Sequence, residues 1–143
     1  MIYHINPEKR AVCCRMPACE NGRPELWEEA RNQAMAKLKR YVKGTTNNDC
    51  RWALNDLATP IFRKRMEGVE YYGVAHCHPN DEFDVEKGKE VARNKALMSY
   101  YKDMQDCMAE LSDMFLALHE MAADKEEECY QYIERLAIRQ ENF

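Results

Sequence analysis

The densest group of chemistry-bearing side chains is the string Gly73-Val74-Ala75-His76-Cys77-His78-Pro79-Asn80-Asp81-Glu82-Phe83-Asp84. Imidazole and thiolate are the usual ligands of zinc, and a thiol beside an imidazole is also the raw material of nucleophilic catalysis. Spacing argues against both. In an extended chain His76 and His78 share one face and Cys77 takes the other, so at most two of the three can reach one ion. Cys13, Cys14 and Cys19 bring no recognised ligand spacing, and no GxSxG, HExxH, GxGxxG or Walker A string occurs. The sequence therefore gives no catalytic constellation, and neither a metal nor a cofactor is expected.

The same string runs from a strand through a Pro-containing turn into a helix, and a helix N-terminus offers unpaired N–H groups and partial positive charge to an anion. Lys87 and Arg93 lie within the first three helical turns and are the expected phosphate donors. Phe83 or Tyr72 is the nearest aromatic surface, and His76, His78, Asn80 and Asp81 complete the junction. Further positive charge would come from Arg15, Arg23 or Arg51. A structural reading competes: Asp81 and Asp84 can cap the helix, using the donors a phosphate would need, while Phe83 plugs the core and Pro79 fixes the turn.

The elements that must hold this junction are legible in outline. Ile2-Tyr3-His4-Ile5 and Ala11 to Met16 are β-prone runs around Asn6-Pro7-Glu8-Lys9, which predicts a hairpin. Glu25 to Lys43 places Trp27, Ala30, Ala34, Leu38 and Tyr41 at helical spacing. Thr45 to Asn48 reads as a loop. Asp49 then caps a short helix to about Leu57, anchored by Trp52 and interrupted by Thr59-Pro60. Residues 69–77 are rich in aromatic and β-favouring types and predict a third strand. From Asp84 the period changes: Leu97, Tyr101, Met104, Met108, Leu111, Phe115, Leu118 and Ala122 recur in steps of four and three, an a/d seam. A helix from Asp84 to Ala122 would span roughly 58 Å at about 1.5 Å per residue. The small sheet cannot cover that length. Either the chain folds back near Asp124, where Lys125 breaks the seam, or another copy packs along it. The expected fold is α+β: a small antiparallel sheet with helices and a long C-terminal helix or helical hairpin that oligomerises. It is read as a single domain over 1–143, with a small α+β part (1–83) and a long helical part (84–143).

Composition bounds the function. The chain has 143 residues, seven cysteines and a net charge of −4. An odd cysteine number without CxxC pairs or an export-type start reads as reduced structural thiols in a cytoplasmic protein. Nowhere do about 18 apolar residues run together, so no membrane partner is expected. Residues 1–70 carry 13 Lys/Arg against 9 Asp/Glu, and residues 71–143 carry 8 against 16. This balance argues against a nucleic-acid polymer as partner, though not against a local pocket for a small phosphate-bearing ligand.

The run GVAHCHPNDEFDVEKGKEVARNKAL, preceded by INPEKRAVCC, resembles small proteins of Firmicute phages that share a Cys-x-Pro-x-Asp-x-Phe-Asp turn and a Gly-Lys-x-x-Ala-x-x-x-Ala helix start. Among them it is most similar to the Thoeris anti-defence sponge proteins. The match covers Tyr72 to Leu97 well and the first 16 residues loosely. It rests on Cys77, Pro79, Asp81, Phe83, Asp84, Gly88, Lys89, Ala92 and Ala96. The resemblance implies a non-enzymatic protein that sequesters cyclic ADP-ribose isomers or cyclic oligonucleotides without cleaving them. It also implies a homo-oligomer built from dimers and reaching hexamers, with phosphate-binding arginines and stacking aromatics at subunit interfaces. The alternative is a protein-interaction inhibitor that docks a host protein through its acidic helical half.

Overall fold

The Asn6-Pro7 pair turns the chain because proline cannot donate to a ladder and the asparagine side chain can hold the turn. In the computed structural model, which describes residues 1–17, 25–38 and 47–142, Asn6 Oδ1 accepts the Lys9 N–H at 2.9 Å. The Arg10 N–H donates to the Pro7 carbonyl at 3.1 Å. The turn ends with Arg10 at φ 48°, a left-handed conformation that costs an L-residue about 1 kcal/mol. It joins β1 (Ile2–Asn6) to β2 (Ala11–Pro17), and β3 (Glu70–His76) pairs on the far side of β2. The result is an antiparallel sheet of order β1-β2-β3.

Register places Val12 opposite Ala75, Cys14 opposite Gly73 and Met16 opposite Tyr71. These six residues are buried, as period-2 alternation demands of a sheet with one covered face. The cover is helix α3 (Val85–Glu141), numbered after α1 (Glu25–Leu38) and α2 (Asn47–Met66). A Cβ on Gly73 would stand 1.8 Å from the Ala92 carbonyl oxygen and 2.7 Å from the Ala96 nitrogen, and one on Gly88 would meet Val12 Cγ2 at 2.7 Å. Gly88, Ala92 and Ala96 thus let the helix backbone lie on the sheet. Lys95 adds a bond to the Val74 carbonyl at 2.7 Å, supplying a donor to β3.

Helix α2 differs from expectation. It begins at Asn47, where a loop is expected, and runs through Pro60 to Met66 as one helix of 20 residues. Leu54, Ala58, Ile61, Phe62 and Met66 form its buried face. Burying Ile61, Phe62 and Met66 at about 1.5–3 kcal/mol each outweighs the roughly 3 kcal/mol that an internal proline costs. Pro60 lies on the exposed side, where water can satisfy the carbonyl its missing N–H leaves free. Trp52 is not the anchor, being 65% exposed. The ring that fills this core is Trp27 of α1, 5.6 Å from Phe62. Among the described side chains of α1, Trp27, Arg31 and Met35 are buried, with Ala30 and Ala34 half-buried. Arg31 enters the core stripe by hydrogen-bonding Asn55 Oδ1 at 3.0 Å. The predicted extension of α1 past Leu38, with Tyr41 and Lys43, lies outside the described residues.

Helix α3 continues through Asp124 without a break, so the helical hairpin is not formed. Its seam also divides. Met104 and Leu111 are buried, Leu97 and Met108 are half-buried, and Tyr101, Phe115, Leu118 and Ala122 are exposed. The buried positions of α3 are Ala92, Ala96, Met104, Cys107 and Leu111. By compactness the chain forms two units, Met1–Cys107 and Met108–Phe143, with the boundary inside α3. In the first unit α3 meets α2 through Cys107 Sγ and the Ile61 carbonyl at 4.0 Å and through Arg65 and Asp106 at 3.4 Å. No described helix is long and apolar enough to cross a membrane.

Two outcomes test this packing. Gly73→Ala forces a methyl into backbone and should cost at least about 3 kcal/mol in urea unfolding. Gly88→Ala presses on Val12, which is fully buried and stiff at χ1. Even with about 1 kcal/mol of helix propensity gained, it should cost about 1–2 kcal/mol, less than Gly73→Ala because a side chain and not backbone must move. Tyr71 donates its phenol hydrogen to Asp103 Oδ2 at 2.6 Å. Burial first, then that bond to a carboxylate, raise its pKa above the usual phenol range. A pKa raised by folding gives stability that is intact below the unfolded value near 10 and is lost as pH rises toward the folded value. Tyr71→Phe should therefore cost roughly 1–2 kcal/mol at pH 7, and the gap to wild type should shrink above pH 10 in chemical denaturation.

Candidate functional site

Asp84 ends the junction turn by placing Oδ1 2.9 Å from the Glu86 N–H and 3.1 Å from the Lys87 N–H. This is the N-cap geometry, and it uses two of the donors that an anion would need. The carboxylate cap is thus Asp84. Asp81 plays a different part: its N–H donates to the His78 carbonyl at 3.1 Å, and its own carbonyl accepts from Arg10 Nη2.

Arg10 organises the turn from about 70 residues away in sequence. Its Nη1 donates to the Pro79 carbonyl at 2.9 Å, and Nη2 lies 3.4 Å from Cys77 Sγ. The Cys77 N–H returns a bond to the Arg10 carbonyl at 2.9 Å. A planar guanidinium suits this task because its fixed fork reaches two carbonyls at once. Sequence reasoning missed Arg10, since no local spacing ties it to the turn. Its one local sign is its position at the end of the hairpin loop, beside the strand that carries the junction.

Around this turn lies a concavity of about 920 Å³, lined by Ala75 through His78, Asp81 through Gly88, and Val91. Of the expected ligand residues it gathers His76, His78, Asp81, Phe83 and Lys87. Asn80 sits in the adjoining turn with its N–H 3.3 Å from His78 Nδ1. Four carboxylates, Asp81, Glu82, Asp84 and Glu86, share the lining with the single ammonium of Lys87. Such a set offers acceptors to hydroxyl and amino groups, a cation to one anionic group, and an aromatic ring, half-buried at Phe83.

The other expected contacts stand elsewhere. Arg93 is exposed on α3 and does not line the concavity. Tyr72 and Arg15 pair on the opposite face of the sheet around Glu70. The Tyr72 hydroxyl donates to Glu70 Oε2 at 2.5 Å, and Arg15 lies 3.6 Å from Oε1. The hydrogen bond to Glu70 raises the Tyr72 pKa, and Arg15 opposes the rise. Arg51 is exposed on α2, and Arg23 lies outside the described residues. Several other described basic side chains have partners of their own. Arg31 bonds Asn55, Arg63 faces Glu67 at 3.9 Å, Arg65 faces Asp106, and Lys89 pairs with Glu86 at 2.7 Å.

Among the described residues Cys13, Cys14, Cys77, Cys107 and Cys129 are free thiols. No described group of three or more His, Cys, Asp or Glu is placed to hold a metal ion. Compared with known proteins, the chain matches no family model, no curated protein and no solved structure.

Proposed function

We propose that this chain is a binding protein of the cytoplasm that sequesters a small nucleotide-derived signal, of the cyclic ADP-ribose or cyclic oligonucleotide class, without cleaving it, and that it does so as a homo-oligomer. The resemblance of Tyr72 to Leu97 to phage anti-defence sponges motivates the ligand class. The observation that carries the reading is the junction concavity, whose volume of about 920 Å³ lies within the range of small-molecule sites, about 300–1,000 Å³. Phe83 supplies a stacking face, and Lys87 a contact for one phosphate. The carboxylates and His76 or His78 suit ribose hydroxyls and base amino groups. Sequestration needs complementarity and no activated nucleophile, and these are the groups the lining offers for it.

A second reading has its own observation. Phe115, Leu118, Met121, Ile133 and Leu136 are all at least 40% exposed on the last part of α3, a surface suited to docking another helix. On this reading the protein acts by binding a host protein.

Calorimetry with cyclic ADP-ribose isomers and cyclic di- and trinucleotides distinguishes the two. The expected result is binding by wild type, weakened roughly tenfold or more by Lys87→Ala and by Phe83→Ala, since a charged contact or an aromatic stack contributes about 1–3 kcal/mol. No heat across the panel, together with no small molecule released on heat denaturation, overturns the sequestration reading and leaves helical docking.

A further inference from the structure

We propose that the C-terminal part of α3 pairs with the same segment of a second copy in antiparallel orientation, in a register set by Glu128 and Arg135. This rests on the self-association proposed above and specifies its geometry. Every described residue of α3 from Phe115 onward is exposed, which leaves its apolar side chains uncovered among the described residues. Its seam continues in steps of three and four as Phe115, Leu118, Ala122, Lys125, Cys129, Tyr132, Leu136 and Arg139. Two cations therefore stand in the stripe that a partner helix would cover.

Charge decides the orientation. In a parallel pair each seam residue faces its own copy, which sets Lys125 against Lys125 and Arg139 against Arg139. Reversing one helix removes both conflicts. With Cys129 layered on Tyr132 of the second copy, Lys125 packs beside Leu136 and Arg139 beside Ala122. The long aliphatic stems then cover apolar surface while the charged heads reach water. In the flank between these layers Glu128 meets Arg135 of the second copy, and the twofold axis repeats the pair. Arg135 has no carboxylate of its own helix within reach, because Gln131, Tyr132, Ile138 and Arg139 stand three and four residues away. Glu128 already holds Lys125 at 2.7 Å through Oε2, and its other oxygen serves the second pair.

The neighbouring registers fail. Shifting by one heptad in one direction brings Glu128 against Glu128 and Glu126 against Glu126, and the other direction brings Arg135 against Arg135. A further shift toward the N-terminus sets Leu136 on Leu111, which at 2% exposure is already covered.

The test is charge reversal read by sedimentation equilibrium, with circular dichroism confirming that each variant is folded. Glu128→Arg alone creates two Arg–Arg pairs per dimer, and Arg135→Glu alone creates two Glu–Glu pairs. Each should weaken self-association roughly tenfold or more. An equimolar mixture of the two variants restores opposite charges at both positions, so it should form a mixed dimer within about threefold of wild-type affinity. A wild-type chain that is monomeric at micromolar concentration overturns self-association itself. A wild-type oligomer whose affinity ignores both reversals, or whose weakened variants are not rescued by mixing, overturns the antiparallel register and leaves self-association standing.

Discussion

The contact on which the first unit depends is the approach of α3 to β3 at Gly73. With the Ala92 carbonyl oxygen 1.8 Å from where a Cβ would sit, no side chain fits on the strand at this point, and only small ones fit on the helix. Ala92 and Ala96 are fully buried, and Gly88 gives way to Val12 in the same manner. Close backbone approach gives dispersion contact along the helix without large side chains. It fixes the distance between helix and sheet in a way that leucines, with alternative rotamers, would not. Larger core residues follow on the C-terminal side of this contact: Tyr71 stands edge-on to Tyr100 with ring centroids 5.6 Å apart, and Cys107 meets Ile61 of α2.

That approach also shapes the candidate site. The strand must leave Ala75 and reach Val85 in a short turn, since the helix begins directly over the strand it has just left. Such a turn exposes carbonyls that regular pairing would satisfy. Arg10 takes two of them, and Asp84 closes the helix end. The concavity is thus bounded by a strand end, a helix start and a guanidinium clamp, all held by bonds within the first unit. Its walls are pre-formed, which lowers the ordering cost of any ligand that fits. The clamp also links the site to the hairpin, so the unfavourable φ of Arg10 is retained where its side chain is needed.

The sheet, its hairpin and the strand–turn–helix junction were legible because each has a local signal: Asn6-Pro7, alternation in β2 and β3, and a change of period at Asp84. The candidate site was legible in part for the same reason, since His76, His78, Asp81, Phe83 and Lys87 are neighbours along the chain. What was not legible depends on contacts distant in sequence. Arg10 reaches the turn across the sheet. Arg93 and Tyr72 are near the junction in sequence, yet helical rotation turns Arg93 away, and Tyr72 stands four residues back along β3 from His76, beside Glu70. Pro60 misled because its local cost is real but is outweighed by a buried face that only the tertiary fold defines. Trp52 misled because its size suggested a core position that its place on the helix does not allow.

The division of the α3 seam has a geometric cause. From Gly88 the contact stripe advances in steps of four, through Ala92, Ala96, Tyr100 and Met104. At about 100° per residue each such step rotates the contact by about 40° around the helix. The stripe winds from the sheet toward α2, where Cys107 meets Ile61. The steps of four and three that include Leu97 and Tyr101 converge on it only at Met104, so those two residues remain beside the core while Met104 belongs to both patterns. Beyond Leu111 the heptad spacing continues, and the described side chains are exposed from Phe115 onward. A spacing that alternates three and four nearly cancels its own rotation and keeps one face constant, as a straight partner helix requires. Beyond Leu111 the helix contributes no buried side chain among the described residues, and its spacing there is the one that the self-association proposed above requires.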